Sequence, residues 1–234
     1  MRFITLPVLL NLTLSYGRKL NNLYSTNQKK YQNYLTNPLM PVVVAIGPAG
    51  TGKTLLACQN AIKEYKENKI EKIIITRPVV SVGEELGFLP GTINEKMDPW
   101  TRPIFDIFRE YYSEKNLKDM IRDNILEISP LAFMRGRTFT NSYIIADEMQ
   151  NSSPKQMIML TTRLGIDSKL VITGDLQQCD LNIGENGLQD FMKRLKYYDN
   201  SYIEEEEPFI GIVELNNEDV KRSPIVSKIL NIYK

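Results

Sequence analysis

With 234 residues the chain has room for one α/β domain and a sizeable core. A net charge of +1 gives no global basic field of the kind that marks a nucleic-acid binder, so any such site has to come from a local patch. There is no histidine and there are two cysteines, Cys58 and Cys179, which all but excludes zinc sites and His-based catalysis and points to free thiols in a reducing compartment.

Residues 1–25 stand apart as an N-terminal arm or targeting segment, ahead of a domain at 26–234. Arg2 precedes an apolar stretch, 3–14, that Pro7 and Asn11 interrupt and that is too short to span a bilayer. No Asp or Glu occurs before Glu64, which suits an organelle transit peptide as well as an arm packed on the core. No other segment can cross a membrane, and a cytoplasmic protein is expected, with an organelle interior left open. Val42-Val43-Val44-Ala45-Ile46 predicts a buried strand, and 54–67 carries Leu55, Leu56, Ala57, Ala61, Ile62 and Tyr65 near helical spacing. A second buried strand at 72–76 ends in Arg77-Pro78, where proline halts the ladder. The long loop 79–97 contains Gly83, Gly87 and Pro90-Gly91; loops of that length in compact domains are usually functional. A helix is expected over 98–112, with Pro99 or Pro103 in its first turns. Strands follow at 125–128 and 143–146. Ser153-Pro154 reads as an N-cap and first helical residue of a helix to 164. Then come a strand at 169–173, an amphipathic helix at 187–197, a solvated acidic turn at 204–207, a last strand at 210–215, and a closing helix from Ser223-Pro224 to 232. Continuous apolar strands alternating with helices predict an α/β fold, a mostly parallel sheet covered on both faces, with ligands at the carboxyl ends of the strands.

The chemistry gathers at those ends. Gly47-Pro48-Ala49-Gly50-Thr51-Gly52-Lys53-Thr54 follows a strand and opens a helix, the context that the GxxxxGK[ST] pattern requires. Its glycines let successive N–H groups face inward around phosphate oxygens, and the helix dipole aims at the same place. Lys53 can reach the β and γ phosphates of ATP, and Thr54 can ligate Mg²⁺. Asp147 and Glu148 end another buried strand, one suited to the metal and the other to polarising an attacking water. Gly174-Asp175-Leu176-Gln177-Gln178 ends the next strand and resembles the γ-phosphate-sensing GDxxQ of superfamily 1 helicases, with Gln178 as the sensor. Gln28, about twenty residues before the loop, has the donor and acceptor needed to read adenine. Arg222 stands before the closing helix, placed to act as an arginine finger.

The chain resembles the PhoH family of ATPases over most of its length, from about Ser25 onward. The most distinctive block is Ser129-Pro130-Leu131-Ala132-Phe133-Met134-Arg135-Gly136-Arg137-Thr138-Phe139 together with 143–151; Ile75-Thr76-Arg77-Pro78 and Gly87-Phe88-Leu89-Pro90-Gly91 fit too. One departure is Ser223 beside Arg222, where the family leads one to expect histidine. The resemblance implies a RecA-like P-loop fold, Mg²⁺-dependent ATP hydrolysis, association with RNA metabolism, and a ring-like homo-oligomer such as a hexamer. It suggests a single-strand RNA platform in which Arg77, Arg135 and Arg137 take phosphates and Phe88, Trp100, Phe133 and Phe139 offer faces for bases. The opposite reading has the arginines paired with acids and the aromatics in the core. A nucleotide-gated RNA-binding module with little turnover, or a small-molecule kinase, stays open as an alternative.

Overall fold

Runs that are apolar at every position become strands buried on both faces. In the computed structural model, which describes residues 24–79, 93–178, 186–201 and 209–220, the strands are β1 (Val42–Ile46), β2 (Lys72–Arg77), β3 (Leu126–Pro130), β4 (Ser142–Ala146), β5 (Lys169–Gly174) and β6 (Ile210–Glu214). They form one six-stranded sheet in the order β3-β2-β4-β5-β1-β6. Their pairings are all parallel, with Ile46 level with Gly174 on one side and Glu214 on the other. β5 lies between β1 and β4, so the three strand ends that carry the phosphate loop, the acid pair and Gly174-Asp175 are neighbours.

Among the described residues the faces are covered by α1 (Thr26–Thr36), α2 (Lys53–Lys66), α3 (Ile93–Arg109), α4 (Glu114–Arg122), α5 (Pro154–Thr161) and α6 (Gly187–Ser201). Alternate strand residues sort between two core layers. Val43, Ala45, Ile73, Ile75, Ile145 and Val171 pack with Tyr31 and Leu35 of α1, Leu56 and Ile62 of α2, Phe108 of α3 and Leu117 of α4. Val44, Ile46, Ile74, Ile144 and Ile172 pack with Met157 and Leu160 of α5, Leu188 of α6, and Leu131 and Met134 of a short turn of helix after β3. The α/β sheet with both faces covered is as the alternating pattern predicted.

The differences are local. α1 and α4 have no counterpart among the predicted elements. Both open on a serine cap, Ser25 and Ser113, and bury few apolar residues. α3 begins at Ile93, inside the expected loop, so Pro99 and Pro103 lie within the helix rather than in its first turn. α5 stops at Thr161 because the chain turns away to pair Leu164 with Phe139, with Phe139 N–H donating to Arg163 O at 2.9 Å. Residues 1–23, the acidic turn at 204–207 and the closing helix fall outside the described residues. Among the described residues no helix is long and apolar enough to cross a membrane.

Candidate nucleotide site

The phosphate loop follows β1 without a spare atom on one side. Gly47 has φ +149°, and a Cβ there would collide with the Leu215 carbonyl oxygen, so only glycine fits between the loop and the residue that follows β6. Its N–H donates to Gly174 O at 3.1 Å, tying the loop to the end of β5. Thr51, fully buried, donates its hydroxyl to Pro48 O at 2.9 Å, while Ala49 and Gly50 form the exposed crest. Gly52 enters α2 in the left-handed region, φ +88°, and supplies no side-chain cap. The first-turn N–H groups of α2 therefore meet no cap and remain available to an anion. Lys53 Nζ folds back to donate to Gly47 O at 2.5 Å and Pro48 O at 2.9 Å. Burial pushes its pKa down, against the pull of Glu148, Asp175 and Asp147; a polyanion offers this ammonium a better partner than two carbonyls.

Asp147 is the meeting point of three elements. Its Oδ1 accepts from Thr54 Oγ1 of α2 at 2.7 Å and from Thr173 Oγ1 of β5 at 2.5 Å, and the side chain is buried. A hydroxyl and one carboxylate in contact suit Mg²⁺, which takes one or two protein ligands and completes its shell with water and phosphate. The described residues contain no group of three or more His, Cys, Asp or Glu that could hold a metal ion. Glu148 leaves the strand in the left-handed region, φ 53° and ψ 41°. Gln150 Nε2 donates to Glu148 Oε2 at 2.5 Å, and Asp175 N–H donates to Gln150 Oε1 at 3.1 Å. Gln178 is exposed at the end of the same turn. Sequence reasoning missed Thr173 and Gln150. Thr173 directly precedes Gly174-Asp175, and Gln150 closes the run that begins at Asp147.

Other expectations meet different surroundings. Gln28 is buried, and its amide is filled from within: Nε2 donates to Thr51 O at 2.9 Å and Asp219 O at 3.0 Å, while Ser25 N–H donates to Oε1 at 3.1 Å. It braces the phosphate loop against the turn after β6. Arg137 donates to both Glu127 oxygens, at 2.5 and 2.7 Å, and lies 4.7 Å from the Phe139 ring, itself buried. Arg135 and Phe133 are exposed beside it, and Arg77, partly exposed at the end of β2, makes no ion pair among the described residues. So the three arginines divide, with Arg137 following the paired alternative. Arg222, Phe88, Cys179 and the side chain of Trp100 lie outside the described residues. Cys58 is a free, buried thiol whose pKa burial pushes up.

The profile of the family described as PhoH-like protein matches residues 22–234. The chain belongs to the PhoH-like family. The PhoH-like protein of Bacillus subtilis is 46% identical over 193 residues, covering 82% of this chain and 58% of the relative. Protein PhoH of Escherichia coli K12 is 38% identical over 195 residues, covering 82% and 52%. The chain thus spans a little over half the length of these relatives. Among solved structures, Bacteroides Pif1 bound to ssDNA aligns over 89% of this chain and 45% of its own, at 17% identity and a TM-score of 0.38.

Proposed function

We propose that this PhoH-like domain is a Mg²⁺-dependent ATPase that couples ATP hydrolysis to engagement of single-stranded RNA. The observation that carries the reading is the convergence of Lys53, Thr54, Asp147 and Glu148 at the adjoining ends of β1, β5 and β4, with Thr54 and Asp147 in direct contact. Loop N–H groups and the start of α2 cradle the phosphates. Lys53 exchanges the Gly47 and Pro48 carbonyls for β and γ oxygens. Thr54 and Asp147 would hold Mg²⁺, which would supply charge neutralisation for the phosphates. Glu148 orients the attacking water and takes its proton, and Gln178 hydrogen-bonds the γ phosphate. Arg135 and Phe133 are exposed on one turn and Arg77 ends β2, which supports a phosphate-and-stacking surface at this edge of the sheet.

The test is ATP turnover with and without single-stranded RNA and DNA, in the wild type and in Lys53→Ala. Turnover that RNA stimulates and that the lysine variant loses is the expected result. RNA binding without turnover would favour a nucleotide-gated module instead, and wild-type turnover in Lys53→Ala would remove the phosphate loop from the mechanism.

A further inference from the structure

We infer that Gln150 is a positioning residue for hydrolysis, a brace that aims Glu148 and locks it to the turn carrying Gln178. The inference rests on the ATPase reading above. Gln150 is only 2% exposed, and both ends of its amide act on the site. The amino end donates to Glu148 Oε2 at 2.5 Å; the carbonyl end accepts the Asp175 backbone N–H at 3.1 Å. A carboxylate can rotate and offer either oxygen. By taking Oε2, Gln150 leaves Oε1 as the oxygen that faces a water. Glu148 needs such a brace because it stands at the first bend after β4, and its left-handed backbone is one that residues other than glycine uncommonly adopt.

The fold makes room for this contact. A Cβ on Gly174 would fall 2.8 Å from Gln150 Oε1 and 2.6 Å from Leu188 Cδ2, so a glycine at the end of β5 lets the amide lie against the strand. The turn bearing Gln150 is pinned as well: Asn151 N–H donates to Glu148 O at 3.0 Å, and Gly187 N–H donates to Ser152 O at 2.7 Å, tying it to α6. Gln178 N–H in turn donates to Asp175 O at 3.4 Å. A shift of the γ-phosphate-reading turn therefore moves the Asp175 N–H, the Gln150 amide and the Glu148 carboxylate together. The water-activating and phosphate-sensing groups form one unit although α5 and β5 separate them in sequence.

The experiment is a mutant cycle between Gln150→Met, which keeps the length of the side chain without its hydrogen bonds, and Glu148→Gln. Turnover, KM, affinity for a non-hydrolysable ATP analogue, and melting temperature are measured for each, with hydrogen exchange of the peptide containing Asp175. Gln150→Met should lower kcat by about 10²-fold, the cost of a misplaced group, with analogue affinity nearly unchanged. In the Glu148→Gln background it should cost nothing further, because the carboxylate it aims is gone. Exchange at Asp175 should quicken. Gly174→Ala, which presses on the amide and removes neither polar group, should reproduce the loss of kcat. Equal losses in both backgrounds, or losses of analogue affinity and melting temperature that match the loss of kcat, would make Gln150 merely structural and overturn the inference. A wild type with no turnover at all would overturn the ATPase reading and the positioning role together, whereas turnover with an additive cycle would overturn the positioning role alone.

Discussion

The partners of Gln28 set it against the phosphate loop. An amide upstream of a phosphate loop has the donor and acceptor that adenine requires, but here both amide hydrogens go to Thr51 O and Asp219 O, and the oxygen accepts from Ser25 N–H. Asp219 is braced in the same cluster: burial would raise its pKa, but hydrogen bonds from Ser25, Asn27 and the Asn216 backbone outweigh it and hold the carboxyl low. Gln28→Ala leaves two buried carbonyls without this donor, at roughly 1–3 kcal/mol each, and is expected to loosen the loop rather than a base pocket. Affinities for ATP and GTP should therefore fall together, their ratio unchanged, in a titration with fluorescent analogues of each. A loss confined to ATP would return the amide to adenine.

At the scale of elements, the pair between Glu127 of β3 and Arg137 joins the edge of the sheet to the loop that leads into β4. Hydrogen bonds from the Arg137 guanidinium hold the Glu127 carboxyl below its ordinary value, outweighing the upward push of burial. A depressed carboxylate stabilises the fold above the unfolded-state pKa, and that contribution is lost as pH falls through the folded value. Above about pH 5, where an unfolded-chain glutamate is ionised, Glu127→Gln should lower stability by on the order of 1 kcal/mol, since the pair is partly exposed. As pH falls from about 5 through the depressed folded value, the gap in melting temperature between variant and wild type should close; a gap that stays constant on acidification would deny the ion pair its role. The fold was legible wherever burial was complete: β1, β2, β4 and β5 are continuous apolar runs, and the structure ends them within a residue or two of the expected bounds. α1 is hard to see because its eleven residues bury only Gln28, Tyr31 and Leu35, although Ser25 and Gln28 form a capping box that the sequence spells out. α3 starts earlier than expected because proline marks a first turn only as a tendency, and here the helix runs through both prolines. In the site, Lys53, Thr54 and Asp147 were legible because a phosphate loop fixes the chemistry that must meet it. Thr173 was not, since a threonine in a buried strand also satisfies β propensity, and only the register of β4 with β5 reveals the carboxylate beside it.

The whole molecule raises two questions of assembly. The first is where RNA lies. If Arg77 and Arg135 hold phosphates and Arg137 holds Glu127, then Arg77→Ala with Arg135→Ala should flatten the salt dependence of RNA binding by about two units, one for each phosphate left without its arginine. Arg137→Ala should cost stability and leave the slope alone; a slope that falls with Arg137 would show the ion pair opening to RNA.

The second question is whether one chain completes its own site. The described ATP-side groups come from the ends of β1, β4 and β5, and they include acids, hydroxyls and the single ammonium of Lys53, with no arginine among the side chains that hydrogen-bond Asp147, Glu148 or Lys53 there. Transition-state charge on a γ phosphate is commonly met by an arginine that arrives from elsewhere, at roughly 10³-fold or more in rate. Arg222 is the candidate we propose, from the neighbouring subunit of a homo-oligomeric ring. In sequence it follows Asp219, which Gln28 ties to the phosphate loop and Asn27 ties to α1. Arg222→Ala should leave ATP binding nearly intact and slow hydrolysis by about 10³-fold. Mixing distinguishes the geometries. Lys53→Ala subunits lack a working loop but keep the finger, and Arg222→Ala subunits are the reverse; co-assembled, they should regain activity at the boundaries where an intact loop meets an intact finger. Co-assembly without recovery would place Arg222 in its own subunit's site, and a strictly monomeric protein that hydrolyses ATP at the full rate would remove the neighbour from the mechanism altogether.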